Sequence, residues 1–501
     1  MKKILYIAVI ALAGLCSCSK EVLNPIPSNA VSDEQIFSTI ESAQTALNGG
    51  IKWIGYYLTN TLQVVMSEVM GEDALMTNGN YGIDTYNWNL YSYTYSQVPE
   101  DEPWWFGYSN YIWEYDYKGV DAANNIIAYV TDMPEATGKE NLLGQAYALR
   151  GFMFLRLCRL FAPTYTINPE GPGIILRTQP ADAASEDIGR SSLKDCYDRI
   201  IKDLDYGRQH CSDANAAYFT PRSCALFMAR AYLDMADYAN AKKYAEEAAS
   251  NTFDGSNLMS QDEYQAGFMD PNVEWLMYYN FNQTTSNYYC SIPSFYYLAK
   301  TAVSADATGK ANPADIEYLD GPEEAKYFEE PLYGYSSVRW TKRFRESFEE
   351  SDCRKLFPFY FYAEDGWFTS KFSHRDLYIG DADFPLARIA EAYLIKAECE
   401  AHGGDGKVVL NALQIARGAT PTDGSLENIY YERRKELYGE GFRLYDIKRL
   451  HQPLERKDPE HWASVKNLPA DSPRFMLPIP QNEMLYNKAL KPSDQNEYWR
   501  K

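Results

Sequence analysis

Two kinds of side chain in this sequence could act on another molecule: groups that move protons or hold metals, and flat aromatic rings set among amides and carboxylates. The first kind is poorly arranged. The five histidines, His210, His374, His402, His451 and His461, show no H-E-x-x-H or other ligand spacing. No cysteines pair as C-x2-C, and neither a G-x-S-x-G elbow nor a P-loop occurs. Gly171-Pro172-Gly173 is a lone turn. Glycoside cleavage needs two carboxylates flanking one cleft, and Glu100-Asp101-Glu102, lying among aromatics, is the best-placed acidic run. A solvated acidic loop explains that run more simply. The chain therefore reads as a non-enzyme with no catalytic residue, no metal ligand and no cofactor.

The aromatic rings are a different matter. Aromatic residues make up 15% of the chain, 42 of them Tyr, more than helix packing requires. Tyr81, Tyr86, Trp88, Tyr91, Tyr93, Tyr95, Trp104, Trp105, Tyr108, Tyr111 and Trp113 crowd one stretch, interleaved with Asn78, Asn80, Asn87, Asn89 and Asp84. Sugar rings present C–H faces that stack on Trp and Tyr, whose polar edges, with nearby amides and carboxylates, read the hydroxyls. Trp105, Tyr108, Ile112 and Tyr115 follow helical spacing and read as a buried helix face instead. Trp88, Tyr91 and Trp104 fall in loop sequence and are the leading ligand candidates. A second aromatic group lies further along (Tyr278, Tyr279, Tyr288, Tyr289, Tyr296, Trp340), and Tyr296 and Trp340 are its candidate contacts.

The elements that must position these rings are mostly helical. Ser32-Asp33-Glu34-Gln35 reads as a capping start to a helix reaching about Leu47. Further helices are expected over Tyr56–Val69, 118–131, 139–161, Ser192–Tyr206, Pro385–His402, Lys407–Arg417 and Leu426–Tyr438. Residues 163–190 are a loop rich in Pro and Gly. In 221–250, Ala229, Tyr232, Tyr238, Ala241 and Ala248 show the small/large alternation of a tetratricopeptide unit, with Ala245 where an aromatic is common. The small-x2-aromatic step recurs at Gly151/Phe154 and Ala390/Tyr393, where ordinary helix packing explains it equally. The expected architecture is mostly α: four tetratricopeptide-like helix pairs with long irregular, aromatic-rich excursions at about 76–117 and 251–383.

The ends and the charge set the compartment. Lys2 and Lys3 precede an apolar run, Ile4 to Leu15, whose length suits a signal-peptide core and falls short of the roughly 20 residues that span a bilayer. Leu15-Cys16-Ser17-Cys18 places Leu at −3 and a small residue at −1 of Cys18, the pattern of a lipoprotein signal; a plain secretory signal is the competing reading. Residues 1–17 are thus expected to be removed. Residues 18–29 would form a lipidated tether and 30–501 the body, with Cys18 multiply acylated, since one chain alone holds only reversibly. The formal charge is −21, from 69 acidic and 48 basic residues, which makes nucleic acid a poor partner. Cys158, Cys196, Cys211, Cys224, Cys290, Cys353 and Cys399 are scattered and give no disulfide framework.

Three long motifs then resemble the SusD/RagB family of outer-membrane nutrient-binding lipoproteins. They are Phe384-Pro385-Leu386-Ala387-Arg388-Ile389-Ala390-Glu391-Ala392-Tyr393-Leu394-Ile395-Lys396-Ala397-Glu398, the run from Tyr431-Glu432-Arg433-Arg434-Lys435-Glu436 to Arg449, and Leu477-Pro478-Ile479-Pro480-Gln481-Asn482-Glu483-Met484. Asp352-x-Arg354 and Lys371 also sit where that family carries a D-x-R and a lysine. The resemblance implies helix pairs bearing a ligand surface on irregular excursions. It also implies a partner, a TonB-dependent SusC-like transporter beneath the lipoprotein. Taken as residues alone, Glu432, Arg433, Arg434, Glu436 and Arg443 alternate in sign at helical spacing and suit an ion-paired network, as do Arg388 and Glu391 at i,i+3.

The leading function on this reading is non-catalytic binding of oligo- or polysaccharide at the cell outer membrane and delivery to the transporter. Oligopeptide cargo is the runner-up, since an acidic surface suits neutral or basic peptides as well as neutral sugars. A surface glycosidase and a pure scaffold are the other classes. A scaffold predicts that the loop aromatics are buried or turned toward a partner.

Overall fold

The computed structural model describes residues 36–55, 64–76, 90–93, 108–181, 186–286, 290–296, 316–318, 335–361, 366–375 and 380–500. About half of the described chain is helical, with only short strands. Ten helices carry the architecture: α1 (Ile40–Ile54), α2 (Tyr108–Thr131), α3 (Lys139–Phe161), α4 (Leu193–His210), α5 (Pro221–Asp234), α6 (Tyr238–Ala248), α7 (Ile389–Gly403), α8 (Lys407–Ala416), α9 (Leu426–Leu437) and α10 (Arg443–Arg449). They pack in series, each from α1 to α7 against the next, and α7 also against α8 and α9.

The local causes are ordinary ones. Thr220 opens α5 with a capping box to Ser223 and Pro221 in the first turn, where its missing N–H leaves no bond unmade. A short turn with Ala236 at φ 56° then reverses the chain into α6, capped by Asp237. Ser192 caps α4 by accepting from the Asp195 amide. α3 is buried along nearly its whole length, and two glycines let α4 lie close to it. A Cβ at Gly151 would meet Leu204 at 3.0 Å, and one at Gly207 would meet Ala148 at 2.6 Å.

Three arginines of α3 reach three neighbours. Arg150 makes a bidentate pair with Asp203 of α4 (2.7 and 3.0 Å), Arg156 meets Asp116 of α2 at 3.1 Å, and Arg159 meets Asp234 of α5 at 2.7 Å. All six groups are buried or nearly so. Such pairs fix register between helices, because a slip strands a charge in the core.

Several boundaries differ from expectation. The Ser32 capping start lies outside the described residues; the described first helix begins at Ile40, with Thr39 and Ser42 forming its capping box. Residues 64–69 are helical, while 56–63 lie outside the described residues. Tyr108–Tyr117, the end of the stretch 76–117 expected as an irregular excursion, is the start of α2, in line with the helical spacing of Tyr108, Ile112 and Tyr115. The helix expected from Pro385 begins only at Ile389; Phe384–Arg388 is a strand, because it pairs with Trp275–Tyr279, more than a hundred residues away. Pro385 is tolerated there because the ribbon has only two strands.

The stretch 251–383 is not irregular throughout. It contributes four strands, β2 (Ile316–Tyr318), β3 (Val338–Trp340), β4 (Phe359–Phe361) and β5 (Trp367–Phe368), which join β1 (Ala74–Met76) in one sheet. The spatial order is β1-β3-β5-β4-β2, all antiparallel, with Ala74 opposite Trp340 and Trp340 opposite Trp367. The sheet is thus built from the second expected excursion and from the strand at whose last residue, Met76, the first begins.

Candidate ligand-binding platform

The sheet is bound to the helical body by a buried ionic hub. Arg388 donates to Glu274 (2.8 Å), Glu436 (3.0 Å) and Glu440 (2.7 Å). Arg417 reaches Glu274 at 2.5 Å and Glu436 at 3.0 Å. Arg354 joins Asp352, Glu432 and Glu436. Lys371, just beyond β5, donates to the carbonyls of Glu436 and Tyr438 and to Glu440 at 2.7 Å. With Lys435 beside Glu432, five cations face five carboxylates.

Burial alone would raise the Glu436 carboxyl, but the guanidiniums of Arg417, Arg388 and Arg354 hold it far below the usual range. Burial pushes the Lys371 amine down to about 8, against the pull of Glu440. Arg388 does not pair with Glu391 as the i,i+3 spacing suggested. Glu391 instead meets Arg230 of α5 and Arg433 of α9.

Beside the hub, short helix Val64–Val69 braces the first turn of α10. Glu68 accepts from the Gly441 and Phe442 amides at 2.9 and 3.2 Å. Burial raises its carboxyl to about 7 despite these donors.

The candidate contacts divide sharply against this frame. Tyr91 is fully buried. Its hydroxyl lies 2.9 Å from His461 Nδ1, and the Arg456 guanidinium sits 4.4 Å over its ring. His461 Nε2 lies 2.9 Å from the Glu72 carbonyl, which only accepts, so Nε2 carries the proton and Nδ1 accepts from Tyr91. Burial, reinforced by Arg456, drops His461 to about 3 and keeps it neutral.

Tyr296 and Trp340 are also fully buried, packed edge-to-face at 4.9 Å in an aromatic core with Phe372, Phe357 and Tyr438. A ring with no open face cannot stack on a sugar, so these three expectations are corrected: Tyr91, Tyr296 and Trp340 build the platform. Trp88, Trp104 and Cys18 lie outside the described residues. Of the residues read as a helix face, Ile112 and Tyr115 are buried.

Open clefts among the described residues include two roomy ones. One, of about 350 Å³, runs between the Asp73 end of β1 and α9, and its ions are paired: Arg434 with Asp73, Arg443 with Glu72, Arg343 with Asp458. The other, of about 400 Å³, lies between α2, the 175–181 segment and Pro480–Glu483. Trp113 and Tyr117 close its floor, and Arg177 stands on its rim. Sequence reasoning passed over Arg177. Its signal was there: no acidic residue falls between Gly173 and Ala181. Among the described residues no group of three or more His, Cys, Asp or Glu is placed to hold a metal ion. No described helix is long and apolar enough to cross a membrane.

Residues 235–499 match the family model described as the SusD family, and residues 55–233 match a SusD-like model described as starch-binding associating with outer membrane. The chain belongs to the SusD family. The SusD-like protein P38 of Formosa agariphila is 22% identical, over 91% of this chain and 92% of that protein. A SusD-like carbohydrate binding protein from Bacteroides vulgatus superposes with a TM-score of 0.72 at 24% identity, over 91% of this chain and 98% of that one. A laminarin binding SusD-like protein superposes at 0.67 with 18% identity, over 92% and 99%. At these identities the likeness shows a shared fold. In this SusD-family chain the motif residues Asp352, Arg354, Lys371, Arg388, Glu432 and Glu436 all enter the buried hub, so they serve the fold.

Proposed function

We propose that this chain is a non-catalytic glycan-binding lipoprotein, anchored in the outer membrane through Cys18, that passes oligo- or polysaccharide to a TonB-dependent SusC-like transporter. What supports the reading most is the division of the aromatics. Tyr91, Tyr296 and Trp340 are taken up by the platform, while Trp88 and Trp104 belong to the two stretches, 77–89 and 94–107, that flank Leu90–Tyr93. Trp88 and Trp104 are the proposed stacking contacts. Two structural relatives are described as carbohydrate binding and laminarin binding, which points the cargo toward sugars over peptides. The helix pair α5–α6 is read as a tetratricopeptide unit, on the strength of fully buried Ala229 and Ala241 and of Tyr232 stacked on Tyr244 at 5.5 Å.

The test is a combined glycan and peptide array probed with the soluble chain that begins after Cys18. Retention on glycan spots, with no glycan shortened after prolonged incubation, is the expected result. Retention on peptide spots alone, or release of sugar products, would overturn it.

A further inference from the structure

The cleft beside α2 holds polar groups that the fold does not use. Its floor is fixed: the Trp113 and Tyr117 rings lie 4.7 Å apart, Trp113 Nε1 donates to Glu483 at 3.3 Å, and the Tyr117 hydroxyl donates to the Ile175 carbonyl at 2.8 Å. Trp113 and Pro480 are buried, so the half-buried Tyr117 is the aromatic ring of this floor that stays open to the cleft. The rim is unlike the floor. The guanidinium of Arg177 and the side-chain amides of Asn110 and Asn482 make no hydrogen bond or ion pair. Nearby ions leave them free, because Glu114 pairs with Lys118 at 2.6 Å and Asp121 accepts from the Ala181 amide at 2.8 Å. In a chain with 69 acidic residues against 48 basic, a half-buried guanidinium without a carboxylate stands out.

A fixed apolar floor beneath a fork of donors and two amides is the chemistry that reads a sugar ring. C–H faces lie on the floor, and neighbouring hydroxyls meet the guanidinium and amides. The volume falls within the ~300–1,000 Å³ of small-molecule sites. Asp121 and Glu483 at the same cleft disfavour an anionic sugar. We propose that this cleft is a second carbohydrate subsite, holding a neutral pyranose unit of a longer glycan. The inference rests on the glycan-binding reading above. Asn110 lies in the first turn of α2, six residues after Trp104 in the sequence.

The experiment is calorimetric titration of the soluble chain with laminarihexaose, maltohexaose, xylohexaose and mannohexaose, for the wild type and for Arg177→Ala combined with Asn482→Ala. The hexaose that binds the wild type best is expected to lose about tenfold in affinity in the double variant. The melting temperature should not move, because neither side chain makes a hydrogen bond or ion pair among the described residues. Equal binding by both proteins would remove the subsite and leave the glycan reading standing. A loss of affinity with a lowered melting temperature would make the two residues structural and also overturn it. Failure of all four hexaoses to bind the wild type would overturn both.

Discussion

Arg417 and Arg177 carry the same guanidinium in opposite settings. Arg417 is fully buried and gives its N–H groups to Glu274, Glu436 and the Met259 carbonyl; Arg177, on the rim of an open cleft, gives its own to nothing. The hub around Arg417 is charge-balanced and closed. The α2 cleft keeps donors that no described residue satisfies. Taking charges out of water costs several kcal/mol each unless partners answer them, so a closed hub is a device for holding one arrangement of strands and helices. An unanswered donor at a half-open site costs little while water covers it, and it remains available to a ligand.

The largest effect should come from opening the hub. Arg388→Met leaves Glu274, Glu436 and Glu440 short of their shared cation and should cost about 3–5 kcal/mol, read by denaturant unfolding. If that variant unfolds at the wild-type midpoint, the hub does not hold the platform.

The next effect is set by pH at Glu68. Its folded-state pKa, about 7, lies above the ordinary value of 4.5, so the native state binds the proton more tightly than the unfolded chain does. The contribution of this group should therefore fall by up to about 3 kcal/mol as pH rises from 4.5 to 7. His461, held neutral at about 3 against the ordinary 6.5, adds stability as pH rises through the same window, so the Glu68 limb is read as the difference between the wild type and Glu68→Gln. Glu68→Gln keeps an acceptor for the Gly441 and Phe442 amides and should remove that slope. Asp446 and Glu72 act with the opposite sign. Their carboxyls are held down to about 2, so the stability they add is complete above about pH 5 and is lost as the pH drops toward 2. An unfolding series across pH 2–8 on the wild type and on Glu68→Gln checks both limbs.

Smaller again is Tyr91→Phe. It removes the donor to His461 Nδ1 and leaves a buried acceptor bare, for about 1–3 kcal/mol of stability. Glycan affinity should be unchanged. A Tyr91→Phe protein of full stability and weakened binding would return Tyr91 to the ligand side of the comparison.

How far the sequence alone reached follows the same division. Helices α3, α5, α8 and α9 could be read from the spacing of their residues because its cause is local. The strand at Phe384–Arg388 could not, since its partner Trp275–Tyr279 lies far off in the chain. The alternating charges of 432–443 announced a network but not its members Glu274 and Arg417, which arrive from other elements. Among the site candidates, aromatic type and polar surroundings did not distinguish a ring facing solvent from one facing the core. Tyr91 sits in polar sequence and is buried all the same, because Arg456 and His461, some 370 residues later, supply its cover.

The central claim, that rings on the stretches flanking Leu90–Tyr93 hold the glycan while the platform rings hold the fold, is tested most directly by Trp88→Ala and Trp104→Ala. Each variant is measured by thermal melting and by titration with the best-binding glycan from the array. The expected result is an unchanged melting temperature with an affinity loss of about thirtyfold, near 2 kcal/mol, in at least one of them. Unchanged affinity in both, or a loss that always accompanies a lower melting temperature, would contradict it.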